Sequence, residues 1–372
     1  MEWRTIIKVA TSLTQYTPDY AIHPGEILEE TLEARGITRT AFAERSGLSL
    51  KTVSQIIHGK APVTPETAIH FERVLGVSAN IWNNLGANYR LHVAKIADRR
   101  MLENKKEWAK KFPLTELTKR GFIRRRQTLA EKVEELLDFF SVASVEAWKA
   151  QFKRIAVSYR KSPSFTSSKE SVSAWLRIGE IEAENIKTSP FDKNTFKNAL
   201  QEIRFLTRED PEVFEPRMKE LCRNSGIALV LIPELPKTRL SGATRWLGPD
   251  KALIMLSLRY KRYDHFWFTF FHEAGHIILH GKTSVFIDEE DMGTNEAEEA
   301  ANRFAANKLI PESKYKTFVA KRQFYKGDIV AFAQSIDICP GIIVGRLQRD
   351  GHIQHKWHND LTRKFRLKEI AS

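Results

Sequence analysis

Three histidines and one glutamate interrupt the apolar run FTFFHEAGHIILHGK at residues 268–282. Ionisable groups in such surroundings are costly unless something pairs with them. On a helix, His272 and His276 stand one turn apart on the same face, which is the spacing of two imidazole ligands of a tetrahedral zinc ion. Glu273 is rotated away from that pair. It is placed to take a proton from water rather than to bind the metal, which is the division of labour in an HExxH zinc peptidase motif. A hydrolytic zinc site also needs a third protein ligand. Downstream, NEAEEAANRFAANKLIP at residues 295–311 reads as another helix, with Glu298 and Asn302 four apart. A carboxylate from Glu298 and an amide from Asn302, orienting a ligand histidine through its far nitrogen, would complete the set. Glu296 and Glu299 compete for the ligand role, but Glu299 lies about 100° around the helix from Glu298. His280 is read as a cation at the end of its helix.

These residues need elements to hold them. GIALVLIPEL (226–235) and ALIMLSL (252–258) have the branched apolar runs of buried strands, and a helix carrying the histidines is expected to start near Asp264. No second oxyanion donor is singled out by the sequence; Tyr260, Arg262, Tyr263 and His265 lie nearby in sequence only. Upstream, LAEKVEELLDFF, SVEAWKAQFKRIAV and SVSAWLRIGEIEAENI show i, i+3, i+4 apolar spacing, with Trp148 and Trp175 as core anchors. Between Lys95 and Arg126, twelve Lys and Arg face four acids. That stretch is read as a solvated connector, with a phosphate-contacting extension as the competing expectation. At the far end, residues 329–353 are expected to pack on the core of the histidine-bearing region.

Residues 20–95 follow a different grammar. Short helices are separated by turns of a few residues: Pro24 at a first helical position, Thr38, Ser49 and Thr64 as N-caps, and Gly36, Gly59 and Gly76 as stops. FAERSGLSLKTVSQII in the middle reads as helix-turn-helix. In its second helix, Leu50, Val53 and Ile56 are expected to point inward. Ser49, Lys51, Thr52, Gln55 and His58 would then point outward, with Lys60 just beyond. Gln pairs bidentately with adenine, Ser and Thr bond base edges or phosphates, and Lys neutralises phosphates, so the expected partner is double-stranded operator DNA.

Composition is consistent with such a partner. The chain has 372 residues, a formal net charge of +13 and 42% hydrophobic residues, enough for two or three domains and indicative of a polyanionic partner. Its two cysteines are far apart and in no CxxC pair, which argues against a disulfide scaffold and for a reducing, cytoplasmic setting. The opening residues lack the apolar core of a signal peptide, and no stretch of 18 uncharged apolar residues suggests a membrane span.

Two resemblances sharpen these expectations. HPGEILEETLEARGITRTAFAERSGLSLKTVSQIIHGK, with TAIHFERVLGVSANIW after it, resembles the HigA antitoxin family within the lambda-repressor-like helix-turn-helix proteins. That likeness implies an operator-binding repressor, usually a homodimer, that often neutralises a toxin. FTFFHEAGHIILHG and EEAANRFAANKLIP resemble the ImmA/IrrE metallopeptidase-like proteins. By position, that likeness implies His272, His276 and Glu298 as zinc ligands, Glu273 as general base and Asn302 as orienter; Ala300 stands where many relatives carry an acid or Gln. It further implies cleavage of a repressor or partner protein.

The expected fold is mainly α with a small β-sheet: an N-terminal extension (1–19), a helix-turn-helix bundle (20–95), a basic connector and helical middle (96–219), an α+β zincin-like domain (220–312) and a helical extension (313–372). The expected function is a DNA-binding regulator of toxin–antitoxin or phage-repressor type with a Zn2+-dependent endopeptidase-like domain. The competing expectation is a repressor or antitoxin whose zinc-binding domain is a non-catalytic sensor or protein-binding module.

Overall fold

The computed structural model describes residues 22–159, 168–257, 261–280 and 293–365. The extension at 1–19 and Tyr260 lie outside the described residues. The chain divides into two compact units, residues 1–104 and 105–372. Among the described residues no single helix is long and apolar enough to cross a membrane.

Among the described residues the first unit holds five helices: α1 (Pro24–Ala34), α2 (Arg39–Ser46), α3 (Leu50–Ile57), α4 (Pro65–Leu75) and α5 (Ala79–Glu103). The cap grammar is realised residue by residue. Thr38, Ser49 and Thr64 accept backbone N–H groups from the first turns of α2, α3 and α4. Gly47 and Gly76 end α2 and α4 in the left-handed conformation that suits glycine. The core joins Leu28, Leu32, Phe42, Val53, Ile56, Phe71 and Trp82. Phe42–Phe71 and Phe71–Trp82 meet edge to face at 5.3 and 5.2 Å, each such pair worth about 0.5–1.5 kcal/mol beyond burial. Gly25 lets α1 approach the end of α3: a Cβ there would come within 2.1 Å of the Ile56 carbonyl. One inward assignment is corrected. Leu50 is 49% exposed, whereas Val53, Ile56 and Ile57 are buried, because the first turn of α3 protrudes and the stripe meets the core only one turn in.

The second unit begins with α6 (Lys106–Ala109), α7 (Leu114–Lys119), α8 (Leu129–Phe140), α9 (Val145–Tyr159), α10 (Lys169–Glu184), α11 (Lys193–Phe205) and α12 (Pro211–Asn224). Parts of the basic stretch are tied down inside this unit. Arg120 donates to Glu116 and to the carbonyls of Pro233 and Glu234, and Arg126 pairs with Glu135. Trp148 and Trp175 are buried as expected, and Trp175 Nε1 donates to the Ile232 carbonyl.

A three-stranded sheet follows, in the order β1 (Ile227–Leu231), β3 (Lys251–Leu256), β2 (Gly242–Gly248). β1 runs parallel to β3, and β2 antiparallel to it with Thr244 opposite Ile254. Then come α13 (Tyr263–His280), α14 (Gly293–Leu309), α15 (Glu312–Ala320), α16 (Lys326–Ser335) and α17 (Pro340–Arg349). One core cluster joins α11 to α17 with the sheet. α17 buries Ile342, Ile343, Val344 and Leu347 in it, so it serves as packing for the histidine-bearing helix rather than as a free recognition helix.

Candidate metal centre

α13 is apolar on most of its circumference. Phe266, Trp267, Phe270, Phe271, Ala274, Ile277 and Ile278 are buried, which leaves a half-buried stripe through Phe268, Thr269, His272 and His276. α14 lies against α13 through small residues. Ala301 and Ala305 are fully buried on it, and a Cβ on Gly275 would stand 3.3 Å from the Ala301 backbone and 3.1 Å from the Phe304 ring. The glycine inside the HEAGH run and the alanines spaced four apart on α14 thus let the two helices approach closely, which carries Glu298 to the histidines.

The resulting cluster is tight. His272 Nε2 and His276 Nε2 are 3.0 Å apart. Glu298 places Oε2 3.2 Å from His272 Nε2 and Oε1 3.4 Å from His276 Nε2. His272 Nδ1 faces the Asn302 amide oxygen at 3.0 Å. An amide oxygen only accepts, so Nδ1 carries a proton, and in the neutral ring the Nε2 lone pair points at the other two donors. Three lone-pair donors directed at one point repel unless a cation sits between them. The observed separations suit the edges of a tetrahedron of about 3.3 Å that zinc–nitrogen and zinc–oxygen bonds of about 2.0–2.1 Å would create. His272, His276 and Glu298 are the group among the described residues that could hold a metal ion.

Electrostatics follow from this geometry. Burial drives the His276 ring down to about 4, helped by the charge of His272 beside it. For His272, burial opposes the charged form, but the Glu298 hydrogen bond and the nearby carboxylates outweigh it, and its affinity for a proton rises. The His272 hydrogen bond holds Glu298 below the usual carboxylate range.

Glu273 points elsewhere. It is 7% exposed, and its Oε2 accepts the Thr244 hydroxyl from β2 at 2.7 Å. Burial pushes its carboxyl up, while the His272 charge and the Thr244 bond pull the other way. A Cβ on Gly242 would stand 2.8 Å from Glu273 Oε1, so the absence of a side chain there makes room for the carboxylate. Sequence reasoning does not reach Thr244 and Gly242, because β2 is partly exposed along most of its length and lacks the apolar run of a buried strand.

The other candidates divide. Glu299 turns outward to Arg303 and Glu296 is exposed. His280 faces the Ala297 carbonyl at 3.3 Å, at the end of α13. Tyr263 donates to the Glu209 carbonyl, and Arg262 grips Asp264 through two nitrogens, so both are committed to the scaffold.

In the first unit, Lys51, His58 and Lys60 are exposed, and Thr52 and Gln55 partly so. Ser49 and Thr52 hydroxyls lie 2.8 Å apart while Ser49 caps α3. His58 Nδ1 donates to the Ser54 carbonyl at 2.7 Å.

Residues 28–82 match the helix-turn-helix family, and residues 228–334 match the family of the IrrE N-terminal-like domain. The chain thus carries a helix-turn-helix domain followed by an IrrE-like domain of a peptidase family. Among curated proteins, the uncharacterized HTH-type transcriptional regulator YddM of Escherichia coli (strain K12) is 37% identical over 62 residues, which is 17% of this chain and 66% of that protein's length. Solved structures similar to the chain include the Pseudomonas aeruginosa antitoxin HigA with the higBA promoter, at 33% identity, covering 23% of this chain and 95% of that one with a TM-score of 0.22. An addiction module antidote protein of a HigA family from Coxiella burnetii is similar at 27% identity, with 23% and 94% covered and a TM-score of 0.21.

Proposed function

We propose that this chain is a cytoplasmic, DNA-binding transcriptional regulator of toxin–antitoxin or phage-repressor type, whose second unit is a zinc-dependent endopeptidase acting on a repressor or partner protein. The working division is operator binding by residues 20–95 as a homodimer, a connecting middle over 96–219, metal chemistry in 220–312 and packing support from 313–372. DNA binding is supported by the helix-turn-helix family match, by the exposed Lys51, Gln55 and Lys60, and by the net charge of +13.

The observation that carries the catalytic half is the convergence of His272, His276 and Glu298 within 4.8 Å, with Glu273 buried beside them. Two imidazoles and one carboxylate suit zinc and leave a fourth position open. A bound ion would polarise a peptide carbonyl and make water more acidic. Asn302 fixes the His272 tautomer and its aim. Glu273 accepts the proton of the attacking water and returns it to the leaving amine. Its burial raises its proton affinity toward the range a group with both duties needs. Thr244 holds that carboxylate in one orientation throughout.

The test compares wild type with Glu273→Gln, both zinc-loaded, for cleavage of candidate repressors in cells and for zinc content. The expected result is retained zinc with cleavage and regulation lost. Regulation that survives the substitution with zinc still bound contradicts the catalytic reading and leaves a zinc-binding sensor.

A further inference from the structure

Arg349 closes α17, which packs against α13, and its guanidinium carbon lies 4.6 Å from the centre of the Phe268 ring. Phe268 stands one turn before His272, with the two rings 6.3 Å apart. Among the described residues Arg349 has no hydrogen-bond or ion-pair partner. Neighbouring arginines differ: Arg346 pairs with Asp350, Arg262 with Asp264 and Arg363 with Asp210. The carboxylate next to Arg349 in sequence, Asp350, already accepts from Arg346 and from the Tyr315 hydroxyl through one oxygen. Arg349 is exposed to solvent, but the face of its guanidinium that lies over the aromatic ring is screened from water, which works against its charge, and Arg346 adds to that. An arginine in this state, planar and stacked, presents an edge of N–H donors to whatever anion enters.

We propose that Arg349, oriented on the Phe268 ring, is a carboxylate-binding subsite beside the metal centre, so that the peptides this centre takes carry an acidic group near the point of attack. The inference rests on the peptidase reading above and names its substrate class. The two separations together cap the distance from guanidinium to His272 ring at about 11 Å, the reach of roughly three extended residues. The anion is therefore a Glu or Asp side chain within three residues of the scissile carbonyl, or the peptide's own C-terminal carboxylate. Stacking on Phe268 limits the side-chain freedom Arg349 must give up on binding, which favours affinity.

The test uses zinc-loaded full-length protein and peptidyl hydroxamates, read by calorimetric binding rather than turnover. The series places Glu at the first, second or third residue from the hydroxamate, each matched by Gln, and adds a C-terminal acid and amide pair. The expected result is one matched pair in which the acid binds about tenfold or more tightly, a preference lost in Arg349→Gln and partly kept in Arg349→Lys, with the neutral ligands unchanged. A preference confined to the terminal acid and amide pair identifies the chain end as the anion. Equal binding of every acid and its neutral partner overturns the subsite and leaves the peptidase reading standing. Discrimination by Arg349 without cleavage of any acidic peptide that Glu273→Gln would abolish overturns the peptidase reading and keeps the subsite on a sensor. Failure of every hydroxamate to bind overturns both.

Discussion

His276 is 19% exposed and sits between another imidazole and a carboxylate, and its burial sets up an acid-sensitive term in the stability of the second unit. The unfolded ring protonates near 6.5, whereas the folded ring is held down to about 4. Between those values the unfolded chain binds the proton and the folded chain does not, so stability is full above about pH 6.5 and is lost as pH falls toward 4. At 1.36 kcal/mol per pH unit, lowering metal-free protein from pH 7 to pH 4.5 removes about 2–3 kcal/mol through this group. That corresponds to roughly 4–12 °C of midpoint for a unit of this size. The assay is scanning calorimetry of chelator-treated full-length protein across that range, with His276→Gln as the reference. The substitution removes the titrating ring, so its acid slope is expected to be shallower by that amount. Glu298, held low, adds acid loss of the same sign, and His272, held high, contributes the opposite sign. Both remain in the reference protein, so the difference between the two slopes reads His276 together with its coupling to Glu298 and His272. Parallel slopes for the two proteins would refute the reasoning, because the ring would then not be buried in its neutral form.

Further outcomes follow from other contacts. Thr244→Val removes the hydroxyl from the buried Glu273 carboxylate, and a loss of about 1–3 kcal/mol is expected in thermal melts at pH 7. Thr244→Ser should recover most of it. A penalty as large in the Glu273→Leu background would show that the loss does not come through this hydrogen bond. In the first unit, Lys51→Ala should lower the slope of log affinity against log salt by about one, roughly equally on all DNA sequences. Gln55→Ala should cost about 1–3 kcal/mol at a single base pair of a selected operator and relax preference there. Uniform weakening by Gln55→Ala across all sequences contradicts a base contact. Zinc at about one hundred times its dissociation constant should stabilise the second unit by about 2.7 kcal/mol, and Glu298→Ala should remove most of that shift.

What could be read from the chain alone was what helical periodicity fixes. His272 and His276 had to share a face once residues 263–280 were helical, and Glu298 and Asn302 likewise on α14. The N-caps Thr38, Ser49 and Thr64 were legible because each satisfies the open N–H groups of the helix it begins, a local requirement. Thr244 was not legible. β2 is bounded by glycines, partly exposed and broken in register between Trp246 and Gly248, so it lacks the apolar run that marks β1 and β3. Its role also depends on a contact 29 residues along the chain. Gly275 and the alanine spacing of α14 were visible in the sequence, but only the packed helices show them to be the close approach that brings Glu298 to the site. Arg349 and Phe268 meet through α17, whose position on α13 is a tertiary fact that no local pattern encodes.

X-ray absorption at the zinc edge, on full-length protein expressed with zinc, tests the central claim most directly. The account predicts one zinc per chain, bound by two imidazole nitrogens and carboxylate oxygen at about 2.0–2.2 Å, with the imidazole signal halved in His276→Ala and the metal largely lost in Glu298→Ala. A protein that takes up no zinc, or whose zinc keeps the same ligands in both variants, would contradict it.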